Sequence, residues 1–210
     1  MTEIFCTLYA VTLFYLFLRD RVKIYVYLLA LQGVLLFGIS FFELMSIHIL
    51  PFSLILTETI GVKAVGIPYL LRHIRKRNNM ERISEGTLPA FYMVMITTAG
   101  LFFSFVVSFH YLKSLVFKSL IFAISIESMI AGICFIILHR HIFSHLIGYL
   151  IIENGIFLLS LAVGSEMPML VNTAILLDIF VGVLVLGLFF NKVGDQFENI
   201  HVDQLSHLKD

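Results

Sequence analysis

The chain has 210 residues, of which 60% are hydrophobic and 13% charged, and its mean hydropathy is +0.99. Soluble domains are about half apolar and about a quarter charged, so this composition excludes an ordinary water-soluble domain and implies an integral membrane protein. The 14 basic and 14 acidic side chains cancel, so no excess of positive charge calls for a nucleic-acid partner, and membrane lipid is the expected surroundings.

The first apolar run spans residues 3–18. Glu3 precedes it, and Arg19 and Arg21 follow it. A signal peptide has the opposite polarity, with its basic residues first, so this run reads as a transmembrane helix entering from outside. Further spans are predicted over 22–43, 50–71, 88–109, 115–138, 142–163 and 168–190. Each is near the ~20 residues that a helix needs to cross, the first being the shortest. The expected fold is an all-α bundle of about seven transmembrane helices, forming one domain over 1–190, with a cytoplasmic tail over 191–210. The long polar connection is 72–86, "RHIRKRNNMERISEG".

Orientation follows from the basic residues. Arg19, Arg21, Lys23, Arg72, Arg75, Lys76, Arg77, Arg82, Arg140, Lys192 and Lys209 fall on one side, and Lys113 and Lys118 on the other. Basic loops stay in the cytoplasm, which predicts the N-terminus outside and the C-terminus inside.

Lys63, Glu127, Glu153 and Asp178 lie near the centres of their own spans, and Glu58 lies about a turn and a half from Lys63. A charge facing lipid at mid-depth costs on the order of 2.5–3.5 kcal/mol. These groups must therefore face inward, pair, meet water or be neutral. Lys63 is about 13 Å from the inner end of its span, too far to snorkel, and is expected to meet an acid or water inside the bundle. Its surroundings, "GVKAVGIP", carry Gly61, Gly66 and Pro68, which predict a kinked or bulged helix. Carboxyls at such depth suit a proton relay; structural pairing between helices is the alternative.

Cys6 and Cys134 stand alone in apolar segments, without CxxC or Cys/His spacing. No metal, haem or other cofactor is expected, and the chain is not expected to be catalytic alone. His139, His141 and His145 read as interfacial, with His73 near them. A short echo links "YVYLLALQG" (25–33) with "IGYLIIENG" (147–155), through Tyr, Leu, an amide and Gly. It reads either as a trace of a repeated unit or as chance similarity between Leu-rich helices.

The segments "HRHIFSHLIGYLIIENGIFLLSLAVG", "NTAILLDIFVGVLVLG" and "NIHVDQLSHLKD" resemble the smallest membrane subunit of respiratory complex I and its counterpart in multisubunit cation/proton antiporters. With "GVKAVGIP" added, the whole chain resembles component E of hydrogenase-4, a membrane subunit of complex I-like formate hydrogenlyase complexes. The resemblance implies a non-catalytic subunit that assembles with other membrane and cytoplasmic subunits of a hydrogenase. In it, intramembrane acids carry protons, or sodium, across the inner membrane of a prokaryote. An antiporter subunit and a structural scaffold are the alternatives. Asp178, followed four residues later by Gly182, matches the second of two glutamates thought to lie on the proton path of the short complex I subunit. Glu153 stands three residues beyond the position of the first, on the same helix face but about 4.5 Å along the axis. Lys63 follows from the hydrogenase-4 pattern. On this reading Asp178→Asn and Glu153→Gln preserve folding and lose coupling, and the tail over 195–210 docks on a neighbouring subunit.

Overall fold

The computed structural model describes residues 1–18, 21–44, 59–77, 89–111, 119–139, 142–163 and 187. The described residues form helices and no β-strand. Apart from residue 187, the predicted seventh span lies outside them, as do the tail, Glu58 and Asp178.

Helix α1 (Thr2–Leu16) turns Cys6, Tyr9, Leu13 and Leu16 into the core, a spacing of three and four that makes one helical face. Its 15 residues rise only about 22 Å. It ends in a tighter turn, with the Phe17 and Leu18 N–H groups donating to Phe14 and Tyr15 carbonyls. Helix α2 (Val22–Leu44) packs against it.

The third predicted span takes an unusual form. Residues Thr59–Gly66 wind as a π-helix and run directly into α3 (Ile67–Arg77). This is the bulge that the glycines and proline predict. Pro68 offers no N–H to the Ala64 carbonyl, so one rung of an α ladder is missing where the wider winding ends. A Cβ on Gly66 would stand 3.1 Å from the Gly61 carbonyl oxygen. The helix also outlasts the predicted end at residue 71, and Arg72, Arg75, Lys76 and Arg77 stand on helix, not loop. The apolar run stops at Leu71. "RHIRKR" contains no glycine or proline, though, and arginine and lysine are good helix formers.

Helix α4 (Ala90–Tyr111) is the outermost described element. Its exposed stripe of Phe91, Met95, Phe102, Val106 and Phe109 follows the helical repeat. Helices α5 (Ser119–Leu138) and α6 (Ile142–Val163) make the most extensive pair. Their approach is set by small residues. A Cβ on Gly132 would stand 2.7 Å from the Gly148 carbonyl oxygen, and one on Gly148 would stand 2.8 Å from that of Gly132. One heptad along α6, Gly155 lies over the Ser125 carbonyl in the same way, at 2.9 Å. Backbones this close gain dispersion contacts that larger side chains would block. Phe135 completes the junction of three helix ends, with Phe17 and Tyr25 at ring-centroid distances of 5.9 and 5.3 Å.

Among the described residues, four helices have the length and apolar character to cross a membrane: Val22–Glu43, Phe91–His110, Ser119–Leu138 and Phe143–Ala162.

Candidate functional site

Thr12, Gln32, Lys63, Ser128, Glu153 and Asn154, all buried, gather where α1, α2, the π segment, α5 and α6 meet. Lys63 leaves the π segment and places Nζ 2.5 Å from Oε1 of Glu153 on α6. Both residues are almost fully enclosed, Lys63 at 4% and Glu153 at 3% exposure. Phe157, one turn beyond Glu153, lies under the ammonium at 4.2 Å from ring centre to Nζ. One face of α6 thus supplies a carboxylate and a π face to the same cation. Among the described residues, neither Nζ nor the Glu153 oxygens have a hydrogen bond to any hydroxyl, amide or carbonyl. The ion pair is their only described polar contact, apart from the ring.

Two local features bring Lys63 here. The π winding presents it beside α2, and Gly33 of α2 lets the backbones close. A Cβ on Gly33 would stand 2.8 Å from Ala64 N and 2.9 Å from the Lys63 carbonyl carbon. Gly33→Ala is therefore expected to push the π segment outward and lengthen the Lys63–Glu153 contact without altering any titratable group. Cross-linking yield between cysteines placed at 63 and 153 should fall in that background.

Beside the ion pair runs a directional chain of hydrogen bonds. Asn154 Nδ2 donates to Gln32 Oε1 at 3.2 Å, Gln32 Nε2 to Thr12 Oγ1 at 3.0 Å, and Thr12 Oγ1 to the Tyr9 carbonyl at 2.6 Å. A second chain starts from the same tyrosine. Ser128 Oγ donates to the Ile151 carbonyl at 3.0 Å, so its one hydrogen is used. Tyr9 OH, 2.9 Å away, must then be the donor to Ser128 Oγ. Both chains end on backbone carbonyls. They lock the side chains flanking Glu153 and join helices distant in sequence.

Gln32 and Asn154 are equivalent positions in the short sequence echo, as are Gly33 and Gly155. The two amides meet directly, and each glycine marks a close helix approach. Contact between equivalent residues is what a local two-fold relation between α2 and α6 would produce.

Of the sequence-predicted residues, Lys63 and Glu153 come together, which answers the expectation that Lys63 turns inward onto an acid. Glu127 stands apart, on α5 facing α4. It is fully enclosed, and neither carboxyl oxygen has a hydrogen-bond partner among the described residues. Its Oε2 occupies the space left by the missing side chain of Gly100, 2.9 Å from where a Cβ would be. An unpartnered buried polar group costs about 1–3 kcal/mol. Glu127→Met, similar in length and apolar, is expected to stabilise the chain by an amount in that range in detergent unfolding. Tyr9, Thr12, Gln32 and Ser128 carry no sequence signal of their own. Only the echo, which pairs Gln32 with Asn154, points at one of them.

The histidines serve the junction after α5. His139 Nδ1 donates to the Phe135 carbonyl at 3.0 Å, and His145 Nε2 donates to the His139 carbonyl at 2.9 Å. These bonds satisfy carbonyls near a helix end. No group of three or more metal-ligating side chains occurs among the described residues.

The described architecture is thus an all-helical bundle with four membrane-length apolar helices and a buried ion pair between the π segment and α6. The chain matches no family model, no curated protein and no solved structure.

Proposed function

We propose that this chain is a non-catalytic, ion-translocating subunit of a complex I-like hydrogenase, seated in the inner membrane of a prokaryote. It spans the bilayer seven times with its C-terminus in the cytoplasm, and Lys63, Glu153 and Asp178 carry protons, or sodium, in step with redox chemistry in partner subunits. Glu127 and Glu58 act as accessory carriers.

The observation that carries this reading is the buried Lys63–Glu153 pair. A pair kept only as structural glue would have its remaining donors and acceptors engaged, because a half-satisfied buried pair is costly. This pair has no described hydrogen bonds, while its neutral neighbours Gln32, Asn154, Thr12 and Ser128 are bonded into chains. The division suits a rigid polar frame around a site whose protonation changes. The π-helical winding at Lys63 adds support, since such bulges concentrate at functional positions. The orientation draws on the basic count, and Lys23 of α2 and Arg72, Arg75 and Lys76 of α3 line one cavity at one end of the bundle.

The test is proton movement by the intact complex in proteoliposomes, with assembly checked in parallel. Asp178→Asn is expected to retain assembly and lose coupled translocation, and Asp178→Glu to retain most of it. Fully coupled translocation by an assembled complex carrying both Asp178→Asn and Glu153→Gln would leave only the scaffold reading. The proteins that purify with a tag on this chain distinguish nickel–iron hydrogenase partners from antiporter partners. A reporter fused after Asp210 is expected to be active only in the cytoplasm.

A further inference from the structure

We propose that the cleft between the start of α2 and the end of α3 binds an anionic phospholipid. Its phosphate is held by Lys23, Arg72, Arg75 and Lys76, and its acyl chains lie along the apolar stripe that continues from the cleft.

A cavity of about 290 Å³ opens there, and Val26 and Tyr27 complete its wall. Four cations around one small cavity repel one another, and among the described residues none of them is paired with a carboxylate. A bound anion removes that repulsion. Arg72 is held at the wall with its guanidinium 4.9 Å from the centre of the Tyr27 ring, and a guanidinium fork matches two phosphate oxygens at once.

The second observation is what adjoins the cations. From Tyr27 the exposed face of α2 continues through Leu31 and Val34, at helical spacing. From Arg72 the same face runs back through Tyr69 and Val65. The basic mouth therefore opens onto two exposed apolar ridges that lead toward the middle of the helices. That is the complement of an amphiphile with a phosphodiester at one end and hydrocarbon at the other. Free phosphate would use the mouth alone. Basic pockets of this kind between membrane helices take lipid head groups. The inference is independent of the proton-carrying role and needs only that the bundle sits in a bilayer.

The test uses the full-length chain in micelles containing equal amounts of phosphatidylglycerol and phosphatidylcholine, with retained lipid counted by native mass spectrometry. The wild type is expected to retain phosphatidylglycerol in preference. Each cation removed should weaken retention about five-fold, so R72Q with K76Q should lower it about twenty-five-fold. Phosphatidylcholine retention and helical circular dichroism should stay unchanged. L31Q is expected to weaken lipid retention but not the binding of inorganic phosphate. Should the double variant lose its helical signal, K23Q is read in its place with the same five-fold expectation. Equal retention of the two lipids by the wild type would overturn the proposal, as would retention insensitive to the cation changes. Displacement of the lipid by an equal concentration of inorganic phosphate would assign the site to free phosphate. Preferential binding of a glutamate-rich peptide, with no retained lipid, would assign it to a protein partner.

Discussion

Lys63→Met alone and Glu153→Leu alone are each expected to destabilise the bundle by about 3–5 kcal/mol, while the two together return it to within about 1 kcal/mol of wild type or above it. Each single change leaves one buried ionisable group without the partner that now stands 2.5 Å away, and an uncompensated buried charge is among the costliest defects a fold can carry. Replacing both ends by apolar groups removes the desolvation cost along with the attraction, which is often neutral or stabilising. The loss from a single change is a large part of a typical domain's stability of about 5–15 kcal/mol. Reversible unfolding in mixtures of dodecyl sulfate and dodecyl maltoside measures all three variants. Additive costs would mean that the two groups do not share a charge. On the proposed function the double variant folds, assembles and translocates nothing, which separates stability from coupling. The pair also adds an expected cost to one of the substitutions considered above. Glu153→Gln leaves the Lys63 ammonium without a counter-charge, so some loss of stability is expected, of about 1.5–3 kcal/mol, the usual worth of a hydrogen bond to a charged group.

The second large effect is expected at the α5–α6 crossing. Gly148→Leu should destabilise the chain by about 3 kcal/mol or more, and Gly148→Ala by about 1–3 kcal/mol, in the same unfolding assay. The Cβ of either would meet the Gly132 carbonyl oxygen at 2.8 Å and the Ile136 side chain at 2.6 Å. Backbone cannot swing aside as a side-chain tip can, so the helices must separate along their most extensive contact. Because Glu153 and Asn154 ride on α6 one to two turns beyond Gly148, the change should also shift the site. Gly61→Ala is the control. A Cβ there has nothing among the described residues within 4 Å, so the change is expected to be neutral or slightly stabilising through helix propensity. Equal effects at 61 and 148 would mean that propensity, not close approach, governs both.

Much of this architecture is legible along the chain. Hydropathy marks five of the described helices, α1, α2, α4, α5 and α6, to within a few residues at their ends, because a helix of bilayer length needs a long apolar run and little else. The glycines and proline around Lys63 announce a break in regular winding. Its form is not legible there, since a kink and a π-helical stretch follow from the same missing hydrogen bond and are chosen by the neighbours. The helix end at Arg77 escapes hydropathy for a simpler reason. Hydropathy marks where apolar side chains stop, whereas backbone hydrogen bonding decides where a helix stops.

The candidate site divides in the same way. Composition and span length lead to the expectation that Lys63 and Glu153 are ionisable groups at a depth where water is scarce, and therefore that each needs an answer other than solvent. Which answer each receives depends on the packed bundle. Lys63 and Glu153 are far apart in the chain, and nothing in either segment names the other. Glu127 has the same kind of sequence surroundings as Glu153, yet among the described residues it faces a glycine and no cation. Gln32, Thr12, Tyr9 and Ser128 are ordinary residues in their own helices and become a frame only when α1, α2, α5 and α6 meet. Burial depth is a property of a segment and can be read along the chain. Partnership is a property of helices in contact, fixed by the close approaches that Gly33, Gly132, Gly148 and Gly155 permit.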